Sequence, residues 1–143
     1  MSEHQEQVKF FNWVRRNRSR SPNPQIQKAM KLCHAIPNGI STKQSQQAKM
    51  EGLTKGIPDV HLPWPVSTEY ECHGEPHFYT TPGLYIEMKF GRNILSEDQE
   101  MIRDLLKEAG FKWVECRSTT EAIQAVKDYL DFPDEDYIEP KYL

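Results

Sequence analysis

Gly83-Leu84-Tyr85-Ile86-Glu87-Met88-Lys89-Phe90 is the stretch on which the fold turns. Its side chains alternate as in a β-strand, with Leu84, Ile86 and Met88 on one side and Tyr85, Glu87 and Lys89 on the other. A strand this apolar is destined for cover, and two charges on a covered face need a partner. Just downstream, Ser96-Glu97-Asp98-Gln99 reads as a helix start with a near capping box, Gln99 standing at the third helical position. That helix stops at Gly110, and Phe111–Cys116 reads as another strand. Strand, helix, strand over 83–116 predicts a crossover connection, and with it an α/β fold whose mixed central sheet is flanked by helices.

Upstream, residues 3–16 form an amphipathic helix by the spacing of Val8, Phe11 and Val14, joined by Phe10 and Trp13. Arg15, Arg16, Arg18 and Arg20 follow at its end and in the loop expected beyond it, and Ser21-Pro22-Asn23-Pro24 is a breaker. Residues 25–32 fit either a short helix or an irregular approach to a strand. His34–Gly39 suggests a short strand running into an Asn38-Gly39 turn. Ser41 suits the cap of a largely solvated helix over about 42–53, with Gly52 at its end. Gly56-Ile57-Pro58-Asp59 turns into a strand over Asp59–Leu62, which Pro63 and Pro65 terminate. Residues 66–82 fit a weak hairpin or an ordered loop.

Downstream, Ser118 caps a last helix carrying Ala122, Ile123, Val126 and Leu130. The reading therefore divides the chain into a domain over 1–130 and an acidic, solvated tail over 131–143. At 37% hydrophobic and 27% charged residues, the chain is too apolar for a disordered protein. There is no membrane-length apolar run and no signal-peptide core at the N-terminus. Cys33, Cys72 and Cys116, odd in number and widely spaced, argue against a disulfide framework and for a reducing, cytoplasmic setting. The net charge of −3 conceals an asymmetry: residues 1–55 hold ten Lys/Arg against three Glu, and residues 56–143 hold eight against eighteen Asp/Glu. A basic half can hold phosphates. Equally, the two halves can simply complement each other in the fold.

The chemistry lies in Pro58-Asp59 followed by Glu87-Met88-Lys89. Glu-x-Lys alone is a common local pair on a half-exposed strand. Joined to Pro-Asp at a strand start and set in an apolar strand, it is far more specific. Asp59 and Glu87 offer hard oxygen ligands, and the Met88 carbonyl a third, to Mg²⁺ or Mn²⁺. Such an ion would acidify water and stabilise charge on a phosphate oxygen, with Lys89 orienting the water or neutralising developing charge.

This pattern resembles the PD-(D/E)xK nuclease signature. The resemblance extends through His34–Gly39, Lys49-Met50-Glu51-Gly52, Gly56–Asp59, Gly83–Lys89 and Ser96–Gln99, in that order. It is similar to the virus-type replication-repair nuclease (VRR-NUC) domain, in its stand-alone phage or prophage form, over roughly residues 3–130. The resemblance implies a restriction-endonuclease-like core and a DNA substrate. It implies Asp59 and Glu87 as metal ligands and Lys89 as the catalytic lysine. Glu3, with Gln7 one turn on, would supply the first-helix Glu, Glu6 being the fallback, and Gln99 the Gln facing the site. It further implies a homodimer in the cytoplasm of a bacterial host, acting on branched DNA such as Holliday junctions.

Arg15, Arg16, Arg18, Arg20, Lys43, Lys49 and Lys55 are candidates for phosphate contact, although singly each reads as a solvated charge, and Asn38, first of all a turn residue, is a candidate for a supporting DNA contact near the site. Of the tryptophans, Trp13 and Trp113 fit core periodicities, and Trp64, between two prolines, is the candidate for base stacking. Cys72, His73 and His77 lack a zinc-site spacing and read as incidental to a loop. Two rivals share the scaffold. One is a DNA-binding module without catalysis. The other is a sequence-specific restriction-type endonuclease, which would carry additional base-reading elements.

Overall fold

A computed structural model of the chain describes residues 2–37 and 50–140. The Asn38-Gly39 turn, Ser41, Lys43, Lys49 and most of the helix expected over 42–53 lie outside the described residues. Gly52, expected to end that helix, has φ +102°.

Helix α1 spans Glu3–Arg20 and opens with a capping box between Ser2 and Gln5. It runs a turn beyond the expected end at 16, so Arg18 and Arg20 are helical and not in a loop. The extension has a cause: Asn17 is buried, and its side-chain amide pairs with both backbone groups of Ile138, at 3.1 and 2.8 Å. Pro22 then forces Ser21 out of the helical region. Residues 24–32 resolve as a helix, α2 (Pro24–Leu32), with Pro24 in the first turn and the Asn23 side chain accepting from the Gln25 N–H.

Four strands form the central sheet: β1 (His34–Ala35), β2 (Val60–Leu62), β5 (Leu84–Met88) and β6 (Lys112–Cys116), in the order β1-β2-β5-β6. The first two junctions are antiparallel and β5–β6 is parallel, so the sheet is mixed as the crossover reading required. Helix α3 (Glu97–Glu108) makes that crossover and α4 (Thr119–Leu130) follows β6. One sheet face carries Val60, Leu62, Leu84, Ile86, Met88 and Cys116, which join Phe10, Trp13, Val14, Ile26, Met30 and Val126 from α1, α2 and α4 in one core.

The segment between the acidic motifs is more regular than its sequence suggests. Strands β3 (Val66–Cys72) and β4 (Glu75–Thr81) pair along their full length as a separate two-stranded sheet. His73 and Gly74 both take positive φ, 54° and 76°, as a two-residue hairpin turn requires. Both faces of the ribbon are largely exposed, so no apolar alternation marks it in the sequence. Its base is tied to α4, where the Tyr129 hydroxyl lies 2.6 Å from the Trp64 carbonyl and 3.2 Å from that of Thr81. Trp64 itself is half-buried against the core, which corrects the expectation of an exposed stacking surface.

The solvated tail is the second correction. Tyr137 is 4% exposed and stacks on Trp13 at 5.7 Å between ring centroids. Asn23 donates to the Asp136 carboxylate at 2.8 Å. Aromatic burial outweighs the acidic composition here, and residues 131–140 pack back on α1 and the start of α2.

Candidate active site

The antiparallel register places Val60 opposite Ile86 and His61 opposite Tyr85, so Asp59, one residue before β2, stands beside Glu87 on the same face. The parallel register sets Glu115 of β6 on the other side of Glu87. Three carboxylates thus form a row across the sheet, on the face opposite the apolar core. Helix α3 covers that face: Gln99 reaches Glu87, while Arg103 and Lys107 lie over the Trp113 ring at 5.8 and 5.6 Å. Trp113, expected in the core, is therefore half-buried beneath two cations.

Each carboxylate is held differently. Asp59 accepts the Met88 N–H at 2.7 Å, which fixes it against the end of β5. Glu87 is 2% exposed. Its Oε1 accepts the Gln99 side-chain amide at 2.7 Å. Its Oε2 is buried without a hydrogen-bond partner. Burial raises the Glu87 pKa to about 8, with Asp59, Glu3 and Glu115 adding to the rise and Lys89 opposing it. Glu115 is paired to Arg117 at 3.1 Å, and Arg117 also donates to the Gly91 carbonyl.

Gln99 serves two structures at once. Its Oε1 accepts the Ser96 N–H at 2.9 Å and completes the α3 capping box, while its Nε2 faces Glu87. The cap thereby fixes which end of the amide meets the carboxylate. The α3 start is held close by Gly56, whose Cβ, were there one, would sit 2.5 Å from the Asp98 carbonyl oxygen. Gly56 also has φ +86°, so the turn into Asp59 and the seat of Gln99 depend on the same residue.

Glu3 reaches the rim of this site: its Oε1 accepts the Phe90 N–H at 2.9 Å and lies 3.4 Å from the Asn93 amide. The fallback, Glu6, is used elsewhere, bonding the Thr119 N–H at 2.6 Å and the Thr119 hydroxyl at the start of α4. Lys89, half-buried just past β5, is anchored through its N–H to the Cys116 carbonyl at 2.9 Å.

An unpartnered buried carboxylate oxygen beside a second carboxylate is a donor set suited to a hard cation. Among the described residues no group of three or more His, Cys, Asp or Glu converges as a metal cage. Two carboxylates, with the Met88 carbonyl as a third donor, suit an ion that keeps several waters, as Mg²⁺ does.

The site thus brings together Asp59, Glu87, Lys89 and Gln99, with Glu3 at its edge. Sequence reasoning missed Glu115, Arg117 and Asn93. Strand alternation in β6, which puts Trp113 and Glu115 on one face, was the available signal for Glu115. Of the DNA-contact candidates, Arg15 and Lys55 are exposed and Arg16 is half-buried. Arg18 gives two donors to protein carbonyls, those of Met30 at 2.8 Å and Cys33 at 2.7 Å. Asn38 and Lys49 lie outside the described residues. Among the described residues no helix is long and apolar enough to cross a membrane.

The sequence model of the VRR-NUC domain matches residues 1–120. A solved structure titled "VRR_NUC domain protein" superposes with a TM-score of 0.64 at 18% identity, covering 94% of this chain and 92% of that one. No curated protein matches the chain.

Proposed function

We propose, on the premise that this chain belongs to the VRR-NUC domain family of PD-(D/E)xK-type nucleases, that it is a divalent-cation-dependent DNA endonuclease selective for branched substrates. The observation that carries the site assignment is the buried, half-satisfied Glu87 flanked by Asp59 and followed by Lys89.

Asp59, Glu87 and the Met88 carbonyl would hold Mg²⁺ or Mn²⁺. The bound ion supplies Lewis-acid stabilisation of phosphate charge and a more acidic water. The remaining work falls to the chain. Gln99 keeps Glu87 Oε1 occupied, which leaves Oε2 as the atom presented to the ion. The Met88 N–H holds the Asp59 carboxylate beside it, against the end of β5. The Lys89 ammonium orients the attacking water and neutralises charge that grows on the phosphate. Glu3 closes the rim by binding Phe90.

The preference for four-way junctions rests on the family likeness, as do a homodimer with two sites related by a two-fold axis and a phage-type origin in a bacterial cytoplasm. The test is cleavage of a labelled four-way junction beside linear duplex and single strand, with Mg²⁺, Mn²⁺ or chelator. Wild type should cut the junction with metal alone, and Lys89→Ala should not. A wild type that cuts nothing with either ion removes the nuclease reading. One that cuts all three substrates alike removes the branch preference.

A further inference from the structure

The face of α1 that begins at Glu3 continues as Gln7, Phe11 and Arg15 at four-residue intervals, with Arg18 one turn further. Beyond Glu3 this stripe borders a cavity of ≈ 340 Å³ between α1 and β1, lined by His4, Gln7, Arg15, Arg18 and His34 among others. Among the described residues no carboxylate lines it. Val8, Phe11 and Ala35 form its apolar part, and in a chain whose net charge is −3 the two guanidinium groups and the amide beside them are a local excess of donors.

These donors are also held in place. Arg18 bonds the carbonyls of Met30 and Cys33, and His34 Nδ1 lies 2.8 Å from the Leu32 carbonyl. All three carbonyls belong to the C-terminal end of α2, where the helix dipole favours positive charge. Arg18 thereby keeps its remaining N–H groups for another ligand, while His34 spends its Nδ1–H on the Leu32 carbonyl. Arg15 is steadied at 3.2 Å by Asn12 on its own helix. Capping of α2 explains Arg18 but leaves Arg15, Gln7 and His4 around the same cavity unexplained.

We propose that this cavity is a phosphate subsite that holds the DNA backbone at a distance from the cleaved bond. The assignment rests on the nuclease reading. Glu3 and Arg15 are twelve residues apart on one helix, which is about 18 Å of rise. That length corresponds to about five base-pair steps of duplex at ~3.4 Å each. Helix α1 thus acts as a ruler, with Glu3 at the rim of the site and Arg15 on a phosphate of a flanking arm. A nuclease that recognises the shape of its substrate has a use for such a contact, because backbone contacts fix register and orientation.

The test is binding of labelled duplex and four-way junction in chelator, by fluorescence anisotropy over a range of salt, with cleavage assayed in parallel. Arg15→Ala removes a solvent-facing side chain, and Arg18→Lys keeps the charge at the α2 end. Both should retain the wild-type circular dichroism spectrum. Arg15→Ala should weaken binding severalfold on every sequence and reduce the slope of log K against log salt by about 0.9, the value for one phosphate. Lys107→Ala, which removes one charge from the α3 side, should do less. Wild-type affinity and slope in Arg15→Ala, with wild type still binding and cutting, would overturn the subsite and leave the nuclease reading standing. So would an equal loss in Lys107→Ala, which would mark a bulk charge effect. A loss confined to 5′-phosphorylated ends would assign the cavity to a terminal phosphate and overturn the backbone placement. A wild type that neither binds nor cuts DNA would overturn both readings.

Discussion

Strand β5 has two faces of opposite logic. Leu84, Ile86 and Met88 are satisfied by shape: they meet side chains of α1, α2 and α4 and ask nothing more of them. Glu87, at 2% exposure, is as deeply buried as they are, yet it is satisfied at one oxygen only. A buried carboxylate oxygen without a donor costs stability, whereas an aliphatic side chain in the same position contributes it. The contrast teaches that the strand is held in place by one face so that the other can be left incomplete.

Substitutions at four positions would break or sharpen that contrast. The largest effect is expected on the apolar face, where Ile86→Ala should cost about 2–5 kcal/mol in urea unfolding through lost burial and the cavity left behind. A cost below about 1 kcal/mol would mean that the core is not what anchors β5. Next, Lys89→Ala should leave the urea midpoint close to wild type while cleavage falls about 10²–10³-fold, the usual cost of removing one charge-stabilising donor. A parallel fall in stability would instead make Lys89 structural.

Gln99→Ala strips Glu87 of its donor and α3 of half its cap, for a loss of about 1–2 kcal/mol together with reduced cleavage. Gln99→Glu should restore the cap but not the cleavage, since it sets a carboxylate against a carboxylate. Recovery of both would show that the amide donor is not needed. The smallest effect is a gain. In the folded, metal-free protein Glu87 titrates near 8, above its ordinary value of 4.5. A carboxyl with a raised folded pKa penalises folding progressively as pH climbs from the lower value towards the higher. In chelator, Glu87→Gln should therefore raise Tm at pH 8 more than at pH 5, while abolishing cleavage. A Tm difference independent of pH would mean that Glu87 is not strained by its burial.

Much of this site was legible because it obeys short-range rules. Alternation placed Glu87 and Lys89 on the covered face, and the capping box placed Gln99 at the start of α3. What the sequence withheld depends on distance or on exposure. The β3–β4 ribbon has no buried face to impose a period of two, so its sequence fitted a weak hairpin and an ordered loop equally. The docking of Tyr137 on Trp13 joins residues far apart in sequence, and local acidity pointed the other way. Gln7 alone favoured Glu3 over Glu6 in the sequence, and in the fold the first meets Phe90 and the second Thr119.

The pairing of Asn17 with Ile138 spans 121 positions of the chain. It bears on the order of events during synthesis. A growing chain displays Asp59, Glu87 and Lys89 well before Tyr137 and Ile138 leave the ribosome. Until they do, α1 lacks the clamp at its far end, and the helix that carries Glu3 to Phe90 is held less firmly. Contacts of such long sequence separation are also the slow ones to form. The far end of α1, the helix that carries Glu3, is thus the part of this structure clamped last.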